Sequence, residues 1–107
     1  MRIWRKSIGP AVVLSAVAII APADASGDAA AGRKAALQCQ ACHGLDGKAK
    51  VPEAPNLAGQ TEPYLMKALG DYKTGARQND MMSLVAPKLS DQDIADLAAY
   101  YASLPGS

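Results

Sequence analysis

The stretch Cys39-Gln40-Ala41-Cys42-His43 decides how the rest of this 107-residue sequence is interpreted. It has the form C-x-x-C-H, in which two thiols at this spacing can add to the two vinyl groups along one edge of a porphyrin. The imidazole that follows the second thiol is then held beneath the iron as an axial ligand. The stretch therefore predicts one covalently attached haem c, bound through Cys39, Cys42 and His43.

Two cysteines at this spacing also occur in redox dithiols, in disulfides and in zinc sites. Cys39 and Cys42 are the only cysteines of the sequence and His43 is its only histidine, so a zinc site would lack a fourth strong ligand. A thioredoxin-like dithiol is expected next to a strand, and no part of the sequence is rich in strand formers. These alternatives are therefore less favoured than haem.

The N-terminus is typical of a secretory signal peptide. Three basic residues precede an uncharged, mainly apolar run that ends in small residues. A permanent membrane anchor is the alternative, but only eleven residues separate Pro10 from Pro22, whereas a spanning helix needs about 20. We therefore expect a signal peptide at 1–23, with cleavage after Ala23 or Ala25.

The expected mature chain, 24–107, is one small domain. In bacteria, haem is attached to such motifs on the outer side of the inner membrane, so the motif and the export signal support each other and predict a periplasmic location. No stable membrane span would remain after cleavage. The mature chain would carry eight basic and ten acidic residues, a net charge of −2, which does not indicate a nucleic-acid partner.

The mature chain is rich in alanine and has no phenylalanine, so its core should be thin. Three segments carry good helix formers or apolar residues at i, i+3, i+4 and i+7. The first runs from 29 into the C-x-x-C-H stretch and ends near Gly44, with Asp28 or Ser26 as its N-cap. The others begin at the caps Thr61 and Ser90. The predicted class is all-α, with long loops at 45–60 and 76–88 that are suited to wrapping a cofactor.

Iron bound by His43 needs a second axial ligand or leaves that position open. Methionine is the remaining soft donor, and Met66, Met81 and Met82 survive signal removal. Met66 lies within a predicted helix and is expected to fill the core. Met81 and Met82 both lie in the second predicted loop, so either could reach the iron.

The order of these elements resembles the class I c-type cytochromes. More narrowly, the chain resembles one haem half of the periplasmic dihaem cytochromes c. The resemblance covers the whole expected mature chain and is carried by Pro55-Asn56-Leu57-Ala58-Gly59-Gln60, Tyr64-Leu65, Gly75-Ala76-Arg77-Gln78-Asn79-Asp80, Leu89-Ser90-Asp91 and Ala98-Ala99-Tyr100-Tyr101. It implies a small cytochrome c fold with three main helices around one covalent haem. Only one haem half is present, which argues against a function that needs two haems in series.

The resemblance also implies individual roles. Cys39 and Cys42 form the thioether bonds, and His43 is the proximal iron ligand. The carbonyl of Pro55 accepts the outer N–H of that imidazole, which fixes its orientation, and Leu57 packs against the haem.

The family spacing further selects between the two methionines. It places the distal ligand four residues before an alanine and seven before the start of the last helix, which selects Met82 and leaves Met81 as the alternative. The resemblance also has Gly32 cross the last helix near Leu97 and Tyr100.

A haem whose axial positions are both filled by side chains has no open site for substrate. The implied function is therefore electron transfer by a periplasmic carrier that is not itself an enzyme. The expected partners are an oxidase, a reductase or a dehydrogenase, met through a small transient interface. The alternatives are a haem c subunit of a larger dehydrogenase, such as a flavocytochrome, and a ligand-sensing haem with a labile methionine. A monomer is favoured over a subunit of a heteromer.

Overall fold

The computed structural model describes residues 3–4, 7–16 and 26–106. Within them the regular structure is helical and contains no strand, which confirms the all-α class. The α-helices are α1 Ala29–Ala35, α2 Gln40–His43, α3 Glu62–Thr74, α4 Met82–Val85 and α5 Asp91–Ser103, with 3₁₀ turns at Ala36–Gln38 and Ala86–Lys88.

The N-terminal segments at 3–4 and 7–16 have no helix, and their large apolar side chains are exposed. The expected cleavage sites at Ala23 and Ala25 lie outside the described residues. No helix among the described residues is both long enough and apolar enough to cross a membrane.

The first predicted helix is interrupted, so the prediction of one continuous helix up to Gly44 was wrong. After Ala35 the chain tightens into the 3₁₀ turn, in which the N–H of Cys39 donates to the carbonyl of Ala36 at 2.9 Å. A new short helix, α2, then follows. Helix propensity does not distinguish the two hydrogen-bond patterns, because the 3₁₀ turn uses the same residue types and similar backbone angles.

Helices α1 and α5 cross at Gly32, as the resemblance implied. A Cβ atom on Gly32 would overlap the carbonyl of Asp96 and lie 2.7 Å from the Cβ of Tyr100. The part of α5 that lies closest to Gly32 is therefore the backbone of Asp96, one residue before Leu97. Because the two backbones lie so close together at Gly32, α1 packs directly against the buried helix α5. The cysteine stretch follows α1 and is positioned by this packing.

A buried carboxylate fastens the same crossing. Asp96 is 8% exposed, and its Oδ1 accepts the backbone N–H of Asp28 and the side-chain amide of Gln92, each at 2.8 Å. Asp28 in turn caps α1 by accepting the N–H of Ala30. The sequence analysis did not find Asp96, because an acidic residue on the last helix is typical of a solvent-facing position.

The two long helices begin as predicted. Thr61 caps α3 by accepting the N–H of Tyr64, and Ser90 caps α5 in a reciprocal capping box with Asp93. Helix α3 ends at Gly75, whose φ of 85° is in the left-handed region that favours glycine. Helix α3 packs on α5. The buried core between the helices is small and comprises Ala36, Leu65, Leu89, Ile94, Leu97, Ala98, Tyr100 and Tyr101.

The second predicted loop is partly helical, which corrects the expectation that Met82 lies in irregular chain. Met82 is the first residue of α4. The side-chain oxygen of Asn79 accepts the N–H groups of Met81 and Met82 at 3.0 and 3.1 Å, and the N–H of Asn79 donates to Ser83 Oγ at 2.9 Å. This cap forms one helical turn that the hydrophobic pattern is too short to indicate.

Candidate functional site

A cavity of about 1120 Å³ lies among the C-x-x-C-H stretch, the 45–60 loop, α3, the segment around α4, and α5. Apolar side chains make up most of its wall. The predicted site residues that line it are Cys39, Cys42, His43, Pro55, Leu57, Met81 and Met82. The fold therefore brings together all the residues that the sequence analysis singled out for one cofactor.

The imidazole of His43 is held from its outer side. His43 is 8% exposed, and its Nδ1 lies 2.9 Å from the carbonyl oxygen of Pro55. A carbonyl oxygen can only accept, so Nδ1 donates to it, and in the neutral ring Nε2 is then the nitrogen that carries the lone pair. The same arrangement, with Nδ1 bonded to a carbonyl and Nε2 free, is the one that a metal-binding histidine uses.

Cys39 and Cys42 are free thiols of intermediate exposure. Burial raises the pKa of the Cys39 thiol, and a hydrogen bond with the Tyr101 phenol partly opposes that rise. Burial also raises the pKa of Tyr101, so this phenol keeps its proton at neutral pH. The described residues hold no cluster of three or more histidine, cysteine or acidic side chains that could bind a metal ion.

Two tyrosines of α5 hold the chain directly after the histidine. The hydroxyl of Tyr100 donates to the carbonyl of Leu45 at 2.6 Å, and that of Tyr101 donates to the carbonyl of Gly44 at 3.4 Å. Gly44 turns the chain with a φ of 74°, which a side chain would strain. The sequence analysis did not identify these two hydrogen bonds, because a phenol's distant partner leaves no local pattern.

The three methionines differ in placement. Met82 is half-buried and lines the cavity, whereas Met81 is 61% exposed and also borders it. Met66 packs against the core and is not a lining residue, as expected. The apolar face predicted for α3 lines the cavity for the most part. Leu57 lines the same cavity.

One cation at the cavity was not singled out from the sequence. The guanidinium carbon of Arg77 lies 4.8 Å from the centre of the Tyr72 ring, and Arg77 lines the cavity. The pKa of Arg77 is raised above its usual value. The largest cause is a hydrogen bond with Tyr64, and the next is the neighbouring Tyr72. Nothing in the sequence around an arginine in an exposed loop indicates that its side chain borders a cavity.

A family model described as cytochrome c matches residues 29–105. The chain belongs to the cytochrome c family. Its match runs from the start of α1 to just beyond α5 and thus includes every wall of the cavity. This membership implies haem c as the cofactor.

Similar proteins support the narrower resemblance. The chain is 53% identical to a cytochrome c4 of Pseudomonas aeruginosa over 81 residues, which are 76% of this chain and 40% of that protein. It is 47% identical over 81 residues to cytochrome c-554(548) of Halomonas halodenitrificans, covering 73% of this chain and 98% of that one. The chain spans about half the length of the cytochromes c4 that it matches.

The fold is also that of a solved relative. The crystal structure of reduced recombinant cytochrome c4 from Pseudomonas stutzeri superposes with a TM-score of 0.72 at 44% identity, over 77% of this chain and 48% of that one. The cytochrome c fold and the resemblance to one half of a longer cytochrome are therefore confirmed.

The residues present fit the cofactor that this family implies. The cavity is largely apolar, as a macrocycle requires, and two free thiols and an imidazole with an available Nε2 lie on its wall. A half-buried thioether, Met82, borders the same space. The donor set is that of a His/Met c-type haem.

Proposed function

We propose that this chain is an exported monohaem electron carrier that holds haem c through thioether bonds to Cys39 and Cys42 and between the axial ligands His43 and Met82. The observation that carries the proposal is the shared cavity. Two thiols, an imidazole oriented by the Pro55 carbonyl and a half-buried thioether all line one apolar space. The similarity to cytochromes c4 along the whole of the folded domain supports it.

The bound haem would supply one-electron exchange between Fe(III) and Fe(II). The protein's contribution is positioning and exclusion of water. Pro55 fixes the His43 ring, and Asn79 anchors the backbone that carries Met82. The side chains of Leu57, Leu65 and other apolar lining residues would exclude water from the space around the haem. With both axial positions filled by side chains, electron gain and loss require little rearrangement.

Residues 1–23 act as a signal peptide in this proposal, and the domain at 24–107 acts in the periplasm. Export is required because the haem would be attached there. Support comes from the N-terminal segment, in which Ile3, Trp4 and Ile8 are each at least 88% exposed and therefore not packed into the folded domain. Large apolar residues that do not pack into the core are typical of a signal segment that is cleaved off.

An acceptor subunit of a dehydrogenase is the second candidate. A protein named thiosulfate dehydrogenase electron acceptor, from Stutzerimonas stutzeri, is 38% identical over 72 residues, covering 66% of this chain and 33% of that one. Met81, which borders the cavity and precedes α4, and Leu84 of α4 are both exposed. They would give such a partner an apolar contact surface.

The test is a potentiometric titration of the protein matured with haem, followed by light scattering and carbon monoxide addition. We expect a reversible one-electron transition, a monomer, and no carbon monoxide binding to the reduced protein, because methionine occupies the sixth position. The Cys39→Ser, Cys42→Ser double variant is the control and should show no transition. A stable complex with a flavin- or metal-containing chain would favour the subunit, and rapid carbon monoxide binding would favour the ligand sensor.

A further inference from the structure

The segment that carries Met82 is packed on one side only. None of the four residues that the structure describes in α4 is buried, and Leu84 among them is 65% exposed. Burial begins after the helix, at Ala86 and Leu89, which are 0% and 3% exposed. Packing therefore fixes the C-terminal side of α4, while the N-terminal side, where Met82 lies, needs another constraint.

The turn that leads into α4 lies between two spaces. Asn79 and Asp80 line the large cavity and also a second cleft of about 550 Å³, whose other walls include Lys73, Gln78 and Pro87. The turn is thus a thin partition between the cavity and the cleft. Segments with few buried apolar contacts open locally at a low cost in free energy. Room for Met82 to turn away from the cavity is therefore present.

One pair of residues closes the N-terminal side of α4 by hydrogen bonds. The Oδ1 atom of Asn79 accepts the backbone N–H groups of Met81 and Met82 at 3.0 and 3.1 Å. The backbone N–H of Asn79 donates to Ser83 Oγ at 2.9 Å, and the Asn79 carbonyl accepts the N–H of Ser83 at 2.9 Å. Asn79 thus binds the residues before and after Met82 as well as Met82 itself.

We propose that Asn79 and Ser83 are positioning residues that keep the Met82 thioether on the iron and set how easily an added ligand displaces it. The inference rests on the proposed function, in which Met82 is the distal ligand. Without the Asn79 side chain, the N–H groups of Met81 and Met82 would have no side-chain acceptor in the closed arrangement. The closed arrangement would then lose free energy relative to an open one in which Met82 has left the iron.

The affinity for an added ligand measures this balance. Imidazole binds iron through the same kind of nitrogen as His43 and can take the sixth position only when Met82 has left it. Its apparent dissociation constant is therefore the intrinsic constant divided by the fraction of open molecules. A larger open fraction lowers the apparent dissociation constant in proportion.

The experiment is an imidazole titration of the oxidised, haem-loaded protein, followed by the loss of the sulfur-to-iron absorption band. Asn79→Ala should lower the apparent dissociation constant about three- to thirtyfold, which is the range that the loss of a helix cap produces. Ser83→Ala should lower it less, because only the acceptor for the Asn79 N–H is removed. Asn79→Asp keeps a side-chain oxygen at the cap and should remain close to wild type.

Ser90→Ala is the matched control. It removes the cap of the other helix start, at α5, and Ser90 is not among the described residues that line the cavity. Guanidinium chloride titrations should show that Ser90→Ala and Asn79→Ala both lower the free energy of unfolding. Ser90→Ala should nevertheless leave the affinity for imidazole unchanged, which separates positioning of Met82 from general stability.

Wild-type affinity for imidazole in Asn79→Ala would overturn the inference while leaving the proposed function standing. An equal gain in affinity in Ser90→Ala would overturn it in the same way, because general destabilisation would then be the cause. Wild-type protein that carries covalent haem but lacks the sulfur-to-iron band would overturn the proposed ligation by His43 and Met82, and the inference with it.

Discussion

Replacement of Met82 by alanine is expected to abolish the weak sulfur-to-iron absorption band of the oxidised protein and to lower its reduction potential. Loss of a neutral thioether removes a ligand that favours Fe(II). Axial ligation contributes to a range of about 0.8 V across haem proteins, so we expect a shift on the order of 0.1 V or more. Absorption spectroscopy and potentiometry on the haem-loaded variant measure both effects.

Met81→Ala is the matched control, because it removes the same side chain one residue earlier. Met81 is 61% exposed at the cavity edge, whereas Met82 is half-buried. Both backbone N–H groups are anchored by Asn79, so the two substitutions disturb the chain similarly. We expect Met81→Ala to leave the band and the potential nearly intact. The reverse pattern would assign the distal position to Met81 and show that the family spacing misplaced it by one residue.

The second large effect is expected at the crossing of α1 and α5. In Gly32→Ala the new methyl group would overlap the backbone carbonyl of Asp96, and backbone gives way less easily than a flexible side chain. Overpacking of this kind lowers the free energy of unfolding by about 1–3 kcal/mol, occasionally more. The loss would loosen α1, which leads into Cys39 and Cys42.

Gly70→Ala in α3 provides the control of opposite sign. A Cβ atom at Gly70 meets no atom within 4 Å, so alanine should raise the free energy of unfolding by about 0.4–1 kcal/mol through the unfolded chain. Guanidinium chloride titrations of the two haem-loaded variants measure both changes. Destabilisation of similar size at both positions would mean that helix packing at Gly32 is not the cause.

Local signals in the sequence predicted much of the fold. The caps Thr61 and Ser90 depend on neighbouring residues alone, and the structure has each where the pattern placed it. The cavity residues around C-x-x-C-H were also found, because one motif and one family spacing specify them. The role of each in binding haem remains a prediction.

Contacts between distant parts of the chain were not predictable in the same way. Asp96 is 68 residues from the N–H that it binds, and the hydroxyl of Tyr100 reaches a carbonyl 55 residues away. Arg77 reaches the cavity through its packing on Tyr72. The 3₁₀ turn before Cys39 and the short helix at Met82 are single turns, which are too short to produce a periodic pattern.

The central claim is that Cys39 and Cys42 hold one haem covalently. The most direct measurement is intact mass of the protein after maturation with c-type machinery and extraction with acidified acetone. The account predicts a chain heavier by one haem, with the added mass on the peptide that contains Cys39-Gln40-Ala41-Cys42-His43. A chain of unmodified mass, or one that gives up its haem to the solvent, would contradict it.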